Sequence, residues 1–313
     1  MKPSISLIIC TYNNAPLLDR VLLSISKQKN SINCDWSVLV VNNNCTDNTT
    51  EVVTNFIHSG NIPNLSTINE VKQGLSYARL CGINNTTAEW IAFIDDDCIL
   101  QDNWVEKAIL FAKSHPKCGA FGGKVILDWE FPPSEILLKY KSSFAAQDYG
   151  EEDRLIELNC IVGAGLVINR TAILQSGWLD KQLLADRKGK ELTSGGDSEI
   201  IIRIRQAGYE IWYCSGCILN HYMPAKRISE EYLMKLQYSF GLMTPRLTLV
   251  TTNCSRLQLI FISLLRICKR TIQLFVFFLT VLIGKNNLTE LMLMLSRFRG
   301  ELQAVLELFL NFN

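Results

Sequence analysis

A chain of 313 residues that is 48% apolar and 19% charged can bury a substantial core, which excludes wholesale disorder and allows one large domain with an appendage or two small domains. Its formal net charge of +1, with no basic arm and no interleaving of aromatic and basic residues, gives no electrostatic footprint for nucleic acid. Eleven cysteines, an odd count placed mostly inside apolar runs, read as reduced core thiols of a cytoplasmic chain.

Only Cys214 and Cys217 have C-x-x-C spacing, and without a second pair or nearby paired histidines they make no zinc site. The leading apolar run "SISLIIC" is short and turns polar at once in "TYNN", so it reads as structure and not as a secretory signal. On that reading, N-x-S/T triplets such as Asn84 to Thr86 carry no glycosylation meaning.

In chain order, "ISLIIC" predicts a strand, and "NNAPLLDRVLLSISKQ" a helix with a proline near its start and an apolar face of Leu18, Val21, Leu22 and Ile25. "WSVLVVNNN" is a second strand, followed by a helix in "CTDNTTEVVTNFI" that Thr46 or Asp47 can cap. "LSTINE" then gives a strand, "GLSYARLCGINN" a helix, "EWIAFI" a strand and "NWVEKAILFAKSH" a helix. This alternation predicts a parallel, doubly wound α/β sheet, with ligands bound in the crevice at the carboxyl ends of the strands. The polar clusters "TYNN", "NNNCTDN" and "DDD" all fall at such ends. Neither the G-x-G-x-x-G of a dinucleotide fold nor the G-K-[ST] of a P-loop is present.

The run Asp95-Asp96-Asp97 costs stability unless a cation or charged ligand shares it, because like charges this close repel one another. A plain turn, in which Asp side chains cap backbone amides, is the alternative for any one of them. By strand alternation Asp96 points away from the other two and is the most structural of the three; it is counted with Asp95 among the nucleotide-facing residues nonetheless. Carboxylate oxygens suit a hard divalent cation such as Mg²⁺ or Mn²⁺.

Six segments in order carry a resemblance: "SLIICTYNN", "VVNNNCTDNT", "KQGLSYARLCGI", the aspartate run, "VGAGLVINRTAI" and "GGDSEIIIRIRQAGYEIWY". Over about residues 3 to 225 the chain resembles the inverting family-2 glycosyltransferases of GT-A fold. The resemblance implies a metal-dependent enzyme that moves a sugar from a nucleotide sugar to a glycan or lipid-linked acceptor. It implies Asp97 and Asp95 as metal ligands, with His221, before Pro224, completing the metal or diphosphate site or packing as a core histidine. It implies Asp197 as the catalytic base. Glu199, or a capping role for Asp197 or Ser198 on the helix that follows, is the alternative there. The family carries an acidic residue before the base where this chain has Gly196.

For the nucleotide the resemblance implies Thr11, Tyr12 and Asn13, with Asn42, Asn43 and Asp47 in the second loop. Relatives carry Asp at position 42, where it accepts from a uracil imide; Asn keeps an acceptor oxygen but loses the charge, so uridine is favoured. Gly74 would let the backbone approach the nucleotide. Arg79 would reach the diphosphate or clamp an aspartate of the cluster, the alternative being a helix-surface arginine. Arg203 reads as a site residue or as a solvated or core-bridging arginine.

Residues 1–225 form the expected catalytic domain, and 226–313 a helical region. Thr271 to Gly284 is uncharged over only 14 residues, short of the roughly 20 that a spanning helix needs. With Arg266, Lys269 and Arg270 nearby, helices lying on the cytoplasmic membrane face are expected, a buried or dimerising hairpin being the alternative. Other readings of the chain are a non-catalytic partner that binds nucleotide sugar, and a sugar nucleotidyltransferase, for which "TYNNAP" lacks the glycine-rich basic loop.

Overall fold

The computed structural model describes residues 4–29, 34–157, 161–184, 195–252 and 254–310. Of the cysteines read from the sequence, Cys160 lies outside them; the ten described are free thiols. The predicted alternation is observed: β1 (Ile5–Thr11), α1 (Ala15–Ser26), β2 (Trp36–Asn42), α2 (Thr49–Ser59), β3 (Leu65–Asn69), α3 (Leu75–Asn84), β4 (Trp90–Asp95) and, after a short β5 (Cys98–Leu100), α4 (Trp104–Ser114). Beyond these come β6 (Cys118–Trp129), α5 (Glu135–Lys139), β7 (Arg154–Leu155), β8 (Leu166–Asn169), α6 (Arg170–Gln175), α7 (Gly196–Gln206) and β9 (Glu210–Met223). Three long helices close the chain: α8 (Glu230–Thr252), α9 (Arg256–Leu282) and α10 (Leu288–Leu310).

All described strands join one sheet in the order β3-β2-β1-β4-β8-β6-β9-β5, with β7 on β9. β1 to β4 are mutually parallel, β8 reverses against β4, and β6 and β9 return to the first direction. Six of the nine strands thus share one direction. The sheet is mostly parallel, with β5, β7 and β8 as the departures.

Strand alternation divides the core into two layers. Ile5, Leu7, Ile9, Val38, Val40, Ala92 and Ile94 face α1, α2 and α4, while Ile8, Leu39, Val41, Ile91 and Phe93 face α3, α6 and α7. Both faces are covered, which is why these strands read as continuous apolar runs. Asp95 follows Phe93 by two residues, and alternation places it on the face that carries α3 and α7.

A third cluster, with Leu137, Phe144, Met223, Leu233, Leu236 and Leu293, seats α8 and α10 against the end of β9 and against α5. α8 and α10 approach through glycines. A Cβ on Gly300 would lie 2.1 Å from the Tyr238 carbonyl oxygen, and one on Gly241 2.1 Å from that of Arg297. Backbone meets backbone there, so no side chain can yield. Gly300→Val is expected to lower stability in urea unfolding by about 2–3 kcal/mol, the usual cost of overpacking. Leu265→Ser, on the exposed face of α9, is expected to change it by less than about 0.5 kcal/mol.

Candidate active site

The site is assembled at the carboxyl ends of β1, β2 and β4. Thr11 closes β1 with its hydroxyl donating to Asp96 Oδ2 at 2.6 Å, and Asn14 Nδ2 donates to Asp96 Oδ1 at 2.8 Å. Asp96 therefore ties the first loop to the aspartate turn, the structural part that alternation assigns it. Burial, and then the charge of Asp97, push its carboxyl up to about 7, against the two donors that pull it down. Asn13 sits at φ +50°, its Oδ1 accepting from the Thr46 amide at 2.7 Å, and Tyr12 is exposed beside it.

The second loop is self-supporting. Asn42 Oδ1, the acceptor expected to meet a uracil imide, takes the Cys45 N–H at 2.8 Å, and its Nδ2 donates to the Thr50 hydroxyl. Asn43 is buried and donates to the carbonyls of Glu70 and Lys72 at 2.9 and 2.7 Å, while its Oδ1 accepts from Gly74 N at 2.8 Å. It therefore pins the segment that leads into α3. Gly74 there has φ +140°, a conformation that glycine adopts and L side chains avoid.

Asp47 spans two helix starts, accepting from Ala15 N with one oxygen and from the Thr49 amide and hydroxyl with the other. Although its desolvation works the other way, these donors hold its carboxyl below the ordinary carboxylate value. Each of these side chains thus has a partner within the protein, which fixes the shape of the second loop.

Asp97 is buried. Its Oδ1 lies 3.2 Å from His221 Nε2 and its Oδ2 3.0 Å from Arg227 Nη1. β5 pairs antiparallel with β9, Cys98 opposite His221, and this register brings the histidine to the aspartates. Ligand atoms of Asp95, Asp97, Cys98 and His221 lie within 4.8 Å of one another. Burial drives the Cys98 thiol well above its ordinary pKa; the hard-oxygen and imidazole donors of the group are Asp95, Asp97 and His221. Two carboxylates and an imidazole fit a divalent cation. His221 Nδ1 is buried without a hydrogen-bond partner among the described residues.

Arg227 was not singled out from the sequence, since a basic residue in "PAKRIS" looks like any turn. Burial opposes its charge, but Asp97 holds its pKa above the ordinary value. In this structure it supplies the positive charge that the acidic turn requires.

Asp197 lies in the first turn of α7, which follows Gly195 and has no side-chain cap; the capping alternative is not realised. Its Oδ1 sits 2.5 Å from Arg79 Nη1. Arg79, 2% exposed, is no surface residue, and it clamps Asp197 instead of the cluster. Its guanidinium stacks 5.0 Å over Phe93, one strand alternation before Asp95. Burial pushes the Cys10 thiol up to about 12, and the thiol feels Arg79, Asp95 and Asp96 together. The cluster and Asp197 thus share one neighbourhood.

A Cβ on Gly163 would fall 2.1 Å from Asp197 Oδ2, so the glycine of the "VGAG" segment makes room for the carboxylate. Glu199, fully buried, accepts from the amides of Leu183 and Leu184 and pairs with Arg203 at 2.7 Å. Its oxygens are consumed by structure, and Arg203 is core-bridging.

An acidic turn at the carboxyl end of a mostly parallel sheet, faced by a carboxylate from a helix on one side, is the layout of GT-A sugar transferases. Residues 6–173 match the family described as glycosyl transferase family 2, and the chain belongs to that family. Two curated relatives come from Haloferax volcanii. Glucosyl-dolichyl phosphate glucuronosyltransferase is 26% identical over 172 residues, which span 53% of this chain and 53% of the relative. Glycosyltransferase AglE is 27% identical over 240 residues, 76% of this chain and 72% of AglE. The chain thus matches about half the length of the first relative. In fold it is similar to S. aureus TarS 1–349, with TM-score 0.51, 13% identity and coverage of 82% of this chain and 73% of that one. The same protein in complex with UDP gives TM-score 0.50 and 17% identity, with coverage of 77% and 65%.

Two variants test the structural assignments. Glu199→Gln breaks a buried ion pair and is expected to cost about 3 kcal/mol, read as a lower melting temperature. Asp47→Ala removes caps from two helices and is expected to cost about 1–2 kcal/mol at neutral pH. Because the folded-state pKa is lowered, that contribution is present above the ordinary value of 3.8 and is lost on acidification. The gap between wild type and Asp47→Ala in denaturant titrations is expected to close below that pH.

Proposed function

We propose that the chain is a divalent-cation-dependent inverting glycosyltransferase that takes a UDP-sugar as donor and a glycan or lipid-linked acceptor, working at a membrane surface. The observation that carries the reading is Asp197, held by buried Arg79 on the face of the sheet to which alternation assigns Asp95. A base and a diphosphate-binding turn are what a displacement at an anomeric carbon needs in one crevice. The UDP complex of TarS supports uridine for the donor, and the dolichyl-phosphate substrate in one relative's name supports a lipid-linked acceptor.

Asp95, Asp97 and His221 would hold Mg²⁺ or Mn²⁺, whose charge stabilises the departing diphosphate. The remaining work falls to the protein's own groups. Arg79 engages one oxygen of Asp197 and leaves the other over Gly163. That second oxygen takes the proton of the acceptor hydroxyl as its oxygen bonds to the anomeric carbon from the side opposite the leaving group. The bond from that carbon to the phosphate oxygen breaks, and the electron pair leaves with the nucleoside diphosphate. Asn43 and Asp47 keep the nucleotide loop in one shape, so little ordering cost falls on binding.

Calorimetric titration with UDP tests the donor site. Binding in the presence of Mn²⁺ that Asp97→Ala weakens by at least about tenfold supports the reading; folded wild-type protein that takes no UDP with either Mn²⁺ or Mg²⁺ overturns it. Asp197→Asn is expected to bind UDP within about threefold of wild type and to lose about 10²–10⁴ in turnover with a UDP-sugar and a lipid phosphate.

A further inference from the structure

α9 is built inside out. Facing the rest of the chain it buries Leu259, Ile260, Ser263 and Leu274, and its polar contacts lie on that side too. Arg266 donates to the Thr248 hydroxyl at 2.9 Å and Arg270 approaches buried Glu301 at 3.7 Å. Facing solvent it presents Phe261, Leu265, Ile272, Phe275, Leu279 and Ile283, each between 44% and 66% exposed. At 100° per residue these six fall on one stripe, which at 1.5 Å rise runs about 30 Å along the helix. A stripe of that size on an isolated chain marks an interaction surface.

Charge identifies the occupant. α9 holds Arg256, Arg266, Lys269 and Arg270 and no acidic residue, and residues 254–310 carry seven basic against three acidic side chains while the whole chain is only +1. Leu265, Arg266, Lys269, Arg270 and Gln273 line one groove, which runs from the edge of the apolar stripe at Leu265 and Lys269 round the flank of the helix toward the packed side. A second copy docked face to face would bring two such cationic helices together, which electrostatics disfavours. Among the described residues no helix is long and apolar enough to cross a membrane.

We propose that α9 lies in the surface of an anionic phospholipid bilayer, its apolar stripe among the acyl chains and exposed Lys269, at the edge of that stripe, on the lipid phosphates, with Arg266 and Arg270 adding positive charge from the flank that packs on the chain. This rests on the reading of an enzyme at a membrane surface, and it names the element and the lipid charge.

The test is flotation of the full chain with vesicles of phosphatidylcholine alone or with about one third phosphatidylglycerol. Wild type is expected to float with the anionic vesicles, less so in high salt. Phe275→Glu with Leu279→Glu is expected to lower partitioning by at least about tenfold, since each removes a large apolar side chain from the lipid. Lys269→Glu, with no core contact to lose, is expected to weaken binding to anionic vesicles only. UDP binding, measured alongside, is expected to stay unchanged in both variants, so a failed donor site is told apart from a failed membrane site. Folded protein that stays unbound with anionic vesicles overturns the proposal. So does a concentration-dependent dimer that Phe275→Glu with Leu279→Glu dissolves, because the stripe is then occupied by a second copy.

Discussion

Three consecutive carboxylates cannot be left to repel one another, and much of the site follows from how each is answered. Asp96 is taken by Thr11 and Asn14 from the first loop, which joins the β1 end to the β4 end. Asp97 is answered by His221 and Arg227, 124 and 130 residues further on, which draws the end of β9 and the turn after it toward the same point. Asp95, half-buried, stands within 4.8 Å of the same group of ligand atoms. The repulsion that makes the cluster costly thereby recruits the distant parts of the chain that complete it.

Arg79 plays the corresponding part for Asp197. A guanidinium with 2% exposure is costly to bury alone, and its stacking on Phe93 together with the Asp197 carboxylate offsets that cost. The pair couples α3, which follows the Asn43-pinned segment at Gly74, to α7, which carries Asp197. Glu199, two residues on and so about 200° round α7, anchors the same helix from its buried side. One helix therefore holds one carboxylate for structure and another aimed at the crevice, and their surroundings set the division.

The first half of the sheet was legible because its signals are local. Apolar runs of β-branched residues, a proline at the start of α1 and polar clusters after each strand all follow from neighbours in sequence. The aspartate turn was legible as charge, and Asp197 and His221 through the resemblance. What escaped is non-local. The reversal of β8, the pairing of three-residue β5 with β9, and the clamp of Arg79 on Asp197 depend on contacts that no window of sequence contains. Arg227 escaped for the same reason. Asn43 entered as a nucleotide contact through the resemblance, and its hold on the backbone of the neighbouring loop was not legible. The inverted face of α9 was legible in composition, but only packing shows which side is turned outward.

The pairing of Cys98 with His221 has a consequence for how this chain can change length. Side chains alternate along a strand, so moving β9 by one residue against β5 would turn the imidazole to the opposite face of the sheet and put Tyr222 or Asn220 in its place. β5 contributes only three residues to this register, while β6 pairs with β9 at ten positions, Leu127 opposite His221. A single inserted residue between Asp97 and Cys98 would therefore disable the donor set while leaving composition and core untouched. The exposed loop around Phe131, by contrast, has room to lengthen, because loop closure costs little per added residue. Variation in length among chains built on this plan should be concentrated there and absent from the turn.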